Sequence, residues 1–118
     1  MRKSVLAFAF AIFVPFAGAS ADDMLSGSEI EEVVSGNTVT GSMMDGTAYN
    51  EFYAEDGTIK GDGYTGEWMI DGDAMCFSYD GESAGCWNVS GTGDSINWVQ
   101  DGEVGGTGMV TTGNPNNF

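Results

Sequence analysis

The side chains able to do chemistry in this 118-residue chain are almost all carboxylates: eighteen Asp and Glu stand against three Lys and Arg, with no His. Without histidine, Ser-His-Asp and Cys-His arrangements and a histidine general base are excluded, together with zinc sites of ordinary composition. A pair such as Glu51 and Glu67 has the chemistry for acid and base work on a glycoside, although a solvated acidic face explains the same residues. Asp71 and Asp73, on either side of Gly72, are the metal candidates, and with Glu55, Asp56 and Asp62 they put hard oxygen ligands on turns, as calcium prefers. Neither EF-hand spacing nor a glycine-rich repeat accompanies them, so turn geometry is the plainer use of Asp-Gly. Met24, Met43, Met44, Met69, Met75 and Met109 are soft donors of the type Cu(I) takes, but no imidazole stands beside them and gap-filling is their ordinary role. No cofactor is implied.

Cys76 and Cys86 are the only cysteines. Arg2 and Lys3 precede an apolar run from Val5 to Ala17, and Ala19-Ser20-Ala21 has the small-residue pattern of a cleavage site. Residues 1–21 therefore read as a secretory signal peptide and 22–118 as a single disulfide-stapled domain, periplasmic or secreted, with no membrane anchor. Loss of Arg2 and Lys3 leaves Lys60 alone against eighteen carboxylates, a formal charge of −17. Long-range repulsion disfavours nucleic acid and anionic lipid as partners, whereas a cationic protein is compatible with it.

The elements that must position these groups are short strands. Tyr64–Ile70, Ala74–Tyr79 and Ala84–Val89 are rich in aromatic and β-branched residues and are separated by Asp71-Gly72 and Asp80-Gly81, the strongest short-range hairpin signal. With Asp71 and Gly72 central in a type I′ turn, Trp68 pairs with Met75, Gly66 with Phe77 and Tyr64 with Tyr79. A loop centred on Gly81 pairs Phe77 with Gly85, Met75 with Trp87 and Cys76 with Cys86. Both hairpins then put Tyr64, Trp68, Ile70, Met75, Phe77, Tyr79, Trp87 and Val89 on one core face, with Phe77 covering Gly66 and Gly85. Thr65, Glu67, Ser78, Ala84, Asn88 and the cysteines fall on the outer face. Directly opposed residues lie close enough for a Cys76–Cys86 bridge.

Upstream, Leu25 to Gly36 reads as one short helix, with a Ser28 and Glu31 capping box, an apolar edge of Ile30, Val33 and Val34, and Gly36 just past its end. Further strands are expected at Asn37–Met43, Ala48–Ala54, Thr58–Lys60, Ser95–Gln100 and Val104–Thr111, with Thr111–Phe118 as a tail across the sheet. The fold class is all-β: about eight short antiparallel strands as an up-and-down meander or small barrel, with one short N-terminal helix. A terminal Phe also suits outer-membrane barrels, but these strands fall short of the ~9–11 residues needed and their outer faces are polar.

The order Ile30-Glu31-Glu32-Val33-Val34, Ser35 to Gly41, Phe52-Tyr53, Gly66-Glu67-Trp68, Cys76-Phe77, Cys86-Trp87 and Gly113-Asn114-Pro115 resembles small exported alphaproteobacterial domains of unknown function. The resemblance spans nearly all of residues 22–118 and implies no activity. Tyr49, Phe52, Tyr53, Tyr64, Trp68, Phe77, Tyr79, Trp87 and Trp98 are enough rings that a filled small barrel is expected, with a shallow apolar ligand site at one mouth as the alternative. The sequence reading is thus a non-catalytic binding or envelope component, with a small-molecule or calcium-binding protein and a carboxylate-based hydrolase as alternatives. The sequence names no partner; a cationic protein and a small apolar ligand are both compatible with it.

Overall fold

The computed structural model describes residues 24–118, so the signal segment 1–21 lies outside the described residues. Eight strands follow one short helix: α1 (Gly27–Val34), β1 (Asn37–Met43), β2 (Ala48–Tyr53), β3 (Thr58–Gly61), β4 (Tyr64–Asp71), β5 (Ala74–Tyr79), β6 (Glu82–Thr92), β7 (Ser95–Gln100) and β8 (Glu103–Thr112). Every strand pairs antiparallel with its neighbour in sequence, and β8 returns to β1, where Val39 meets Val110 and Gly41 meets Gly108. The meander is therefore a closed barrel without free edges.

Alternation decides what enters the barrel. Val39 of β1, Tyr53 of β2, Ile59 of β3, Trp68 of β4, Met75 of β5, Val89 of β6 and Ile96 with Trp98 of β7 are all buried in one cluster. Ile30 and Val34, one helical turn apart on α1, complete it and cover the barrel end where β2, β4 and β6 finish. At that end the Leu25 amide donates to the Val89 carbonyl and the Gly36 amide to the Tyr53 carbonyl. The opposite end is bounded by the four turns at Asp45-Gly46, Asp62-Gly63, Asp80-Gly81 and Asp101-Gly102. Asp80 and Asp101, like the glycines that follow them, have positive φ, the signature of type I′ hairpins.

Three sequence expectations are corrected locally. The β4–β5 turn is centred on Gly72 and Asp73, not on Asp71 and Gly72; Gly72 has φ 63° and Asp71 pairs with Ala74. Glycine at the first central position is the type II′ solution, and it opposes Trp68 to Phe77 and Ile70 to Met75. A slip of two residues leaves every side chain on its expected face, as a slip of one would not. The ring over Gly66 is consequently that of Tyr79, so close that a Cβ on Gly66 would lie 2.6 Å from its Cδ1.

The second correction concerns α1, whose N-cap is Ser26, with Glu29 closing the capping box, rather than Ser28 with Glu31. The earlier start lets the Gly27 amide donate to Asp73 Oδ1 at 2.9 Å, and Gly27 lies against the Gly72 carbonyl where no Cβ would fit. The third is a bulge in β6. Met75, Cys76 and Phe77 oppose Trp87, Cys86 and Gly85 as expected, but Ser78 opposes Ser83, so Ala84 is the extra residue and turns to the inside. The Cys76–Cys86 disulfide spans Cα atoms 3.9 Å apart on the outer face. The C-terminal tail lies against β1 and β2: Thr38 Oγ1 donates to the Gly113 carbonyl at 2.7 Å and Asn116 Nδ2 to Asn50 Oδ1.

Candidate ligand site at the open mouth

β2 carries Tyr49, Glu51 and Tyr53 at alternate positions, so an inward Tyr53 commits Glu51 to the interior as well. Glu51 is only 6% exposed. Its carboxylate is met by three phenols from different strands. Tyr53 donates to Oε1 at 2.8 Å, Tyr64 to Oε2 at 2.7 Å, and Tyr79 spans both oxygens at 3.2 and 2.9 Å. Hydrogen bonds to an ionised acceptor contribute about 1.5–3 kcal/mol each, against about 1 for neutral pairs, which is how a lone carboxylate is tolerated there.

A second chain of bonds fixes the facing wall: Trp98 Nε1 donates to Tyr49 Oη at 2.8 Å, and Tyr49 donates to the Thr107 carbonyl at 2.7 Å. Phe77 stands edge-on to Trp98, with ring centroids 5.4 Å apart, and to Tyr53 at 6.1 Å. All four tyrosines have phenols raised above their ordinary value, burial being the first cause in each. For Tyr53, Tyr64 and Tyr79 the charge of Glu51 and the proton it accepts add to burial.

Between these walls lies a cavity of about 220 Å³, lined by Met43, Tyr49, Glu51, Tyr53, Phe77, Tyr79, Ala84, Trp87 and Trp98. The number of rings predicted a filled interior, and the structure departs from that. The phenol and indole polar ends must reach Glu51, Tyr49 and Thr107, which holds their rings against the wall instead of letting them collapse across the centre. The bulge at Ala84 adds only a methyl where a regular strand could have inserted a larger group.

The sequence-predicted core residues separate into two levels. Trp68, Met75 and Val89 are buried; Ile70, Phe77, Tyr79 and Trp87 are half-buried and pack against the core. Tyr64 is not core but rim, 42% exposed, with only its hydroxyl reaching inside. The acid–base pair is not assembled: Glu51 faces the interior, whereas Glu67 is exposed on the outside of β4 between Thr58 and Ser78. Asp73 is bonded to the start of α1, and among the described residues no three His, Cys, Asp or Glu side chains gather as a metal site. Of the methionines, Met75 is core and Met43 lines the cavity, while Met24, Met44, Met69 and Met109 are exposed at separate places. A second hollow, about 320 Å³, lies outside β4–β6 beside the disulfide and Glu67, Ser78 and Ser83, without a buried polar group.

No family model, curated protein or solved structure matches the chain.

Proposed function

We propose that this protein is a non-catalytic binding protein that takes a small, largely apolar ligand into the open end of its barrel. The observation that carries the reading is the aromatic cavity itself, open at one end and backed by the packed core and α1 at the other. Ligand sites are concave, mostly apolar and furnished with a few fixed polar groups, and this one has Glu51 and the Tyr49 hydroxyl. A hydrolase reading loses its second carboxylate, because Glu51 is the only acid among the residues lining the cavity. The other described acids lie at both barrel ends, on the helix and, for Glu67, on the outside of β4, a spread that singles out no face for a cationic protein partner. Action in the periplasm or outside the cell fits the disulfide, and no described helix is long and apolar enough to cross a membrane.

The test is a nuclear magnetic resonance titration with a set of small neutral alcohols, amines and acids. Binding should move the indole N–H signals of Trp87 and Trp98 and leave that of Trp68, which donates to the Ala54 carbonyl in the packed half, in place. A set in which no member moves Trp87 or Trp98 would remove the proposal.

A further inference from the structure

The charge buried in the cavity has no counter-charge beside it among the described residues. Lys60 is the only cationic side chain in residues 24–118, and it follows the fully buried Ile59 on β3, so alternation puts it on the outer face. Glu51 is compensated by dipoles alone, the three phenol hydroxyls, inside a largely apolar mouth. Two further features point the same way. The cavity is lined by the rings of Tyr49, Phe77, Tyr79, Trp87 and Trp98, and aromatic rings attract a desolvated cation to their faces. The turns that ring this end carry Asp45, Asp62, Asp80 and Asp101 and no basic residue, so although acids are as numerous at the far end, nothing in these turns repels a cation at the entrance. Asp45 is held below its ordinary carboxylate value by hydrogen bonds from the backbone and side chain of Thr47, which keeps its charge in place.

We propose that the ligand is a small organic cation with a methylated ammonium head, seated among the rings above Glu51. The proposal rests on the binding reading given above and names its ligand class. Methylation follows from the hydrogen-bond inventory. The three phenol protons of Tyr53, Tyr64 and Tyr79, the last shared between both oxygens, take all but one of the roughly four acceptor sites of the carboxylate, so an ammonium rich in N–H donors would satisfy one of them there and leave the others facing rings. A quaternary head has no donor to satisfy, and its methyl groups suit the rings and the Met43 thioether. A space of about 220 Å³ accepts such a head with a short tail and excludes a long acyl chain or an oligosaccharide.

The test compares choline with its neutral isostere 3,3-dimethylbutan-1-ol, by tryptophan fluorescence and calorimetry on the disulfide-bonded protein in sodium phosphate. Choline should bind at least tenfold more tightly than the isostere, and ethanolamine more weakly than choline. Glu51→Gln should bring choline and the isostere to within about twofold of each other. Trp87→Leu, which leaves the carboxylate network untouched, should weaken choline more than the isostere and decides the matter if Glu51→Gln fails to fold. Equal affinities for choline and the isostere would leave the ligand site standing and overturn its cationic assignment. Ethanolamine binding as tightly as choline would overturn the methylated head. If none of the three binds at tens of millimolar, this proposal falls, and the alcohol, amine and acid titration then decides separately whether the binding reading falls with it.

Discussion

Alkali should attack this barrel through its tyrosines. Tyr49, Tyr53, Tyr64 and Tyr79 are all of its tyrosines, and each phenol is raised by burial, with Glu51 adding to the effect. Because the folded-state values lie above the unfolded value of about 10, the stability they contribute is complete below about pH 10. It is lost as the pH rises from there toward the folded-state values. Within that window the unfolded chain has released protons that the folded chain retains, so each tyrosine lowers stability by about 1.4 kcal/mol per pH unit. Tyr53, Tyr64 and Tyr79 together give about 4 kcal/mol per unit, Tyr64 contributing over a narrower range because solvent reaches it. Against a total stability of about 5–15 kcal/mol, loss at that rate needs more than about one pH unit, so unfolding should set in above about pH 11. Phenolate absorbance at 295 nm and near-ultraviolet circular dichroism, followed in one titration, should change together in a single steep step. Phenolate appearing near pH 10 with the dichroism intact would refute the tyrosine–carboxylate network. Glu51→Gln should make the fall in stability above about pH 10 shallower while leaving part of it, since burial, the larger cause, remains.

Two further outcomes follow from packing and capping. Phe77→Ala, which removes the ring between Tyr53 and Trp98, should cost about 3 kcal/mol in a urea titration, whereas Met69→Ala on the outer face, 59% exposed, should cost under about 1. Equal costs would mean that β4 and β5 present the opposite faces. Asp73→Ala should lower stability by about 1 kcal/mol through loss of the bond to the Gly27 amide, and calcium should stabilise the native protein no more than magnesium at equal ionic strength. A calcium-specific rise in Tm that disappears in Asp73→Ala would restore the cation site read from the sequence.

Most of the fold was legible because its signals are local. β1, β5 and β7 have the bounds that alternation and flanking Gly and Asp predict, and the Cys76–Cys86 pairing follows from the β5–β6 hairpin alone. The β4–β5 turn lies one residue later than the sequence predicts, a slip of two in the pairing, because Asp71-Gly72-Asp73 admits two tight turns, one with Gly72 second and one with it first. The choice is made outside the hairpin, where Asp73 reaches the amide of Gly27, 46 residues earlier. The same contact accompanies the shifted helix cap: with Ser26 as N-cap, Gly27 is the first helical residue and its amide, which has no partner within α1, is taken by Asp73. The bulge at Ala84 left no signal, as Ser83 and Ala84 suit a regular strand equally well.

The site was harder to read, for a reason that also bears on its use. In Tyr49-Asn50-Glu51-Phe52-Tyr53 the tyrosines at alternate positions already mark Glu51 as inward, yet an isolated carboxylate is costly to bury and so reads as solvated. What makes it tolerable are Tyr64 and Tyr79, 13 and 28 residues away, brought across by closure of the barrel. Such an arrangement is not a source of stability. A buried ion can often be replaced by apolar groups of similar volume at no loss, and phenylalanines at 53, 64 and 79 with an apolar residue at 51 would need no network at all. The charge also adds to the self-repulsion of a chain that is already strongly acidic. Packing does not account for a carboxylate without a described counter-charge beside an aromatic cavity whose rings are tied back to its wall, and the incoming group proposed above would account for it.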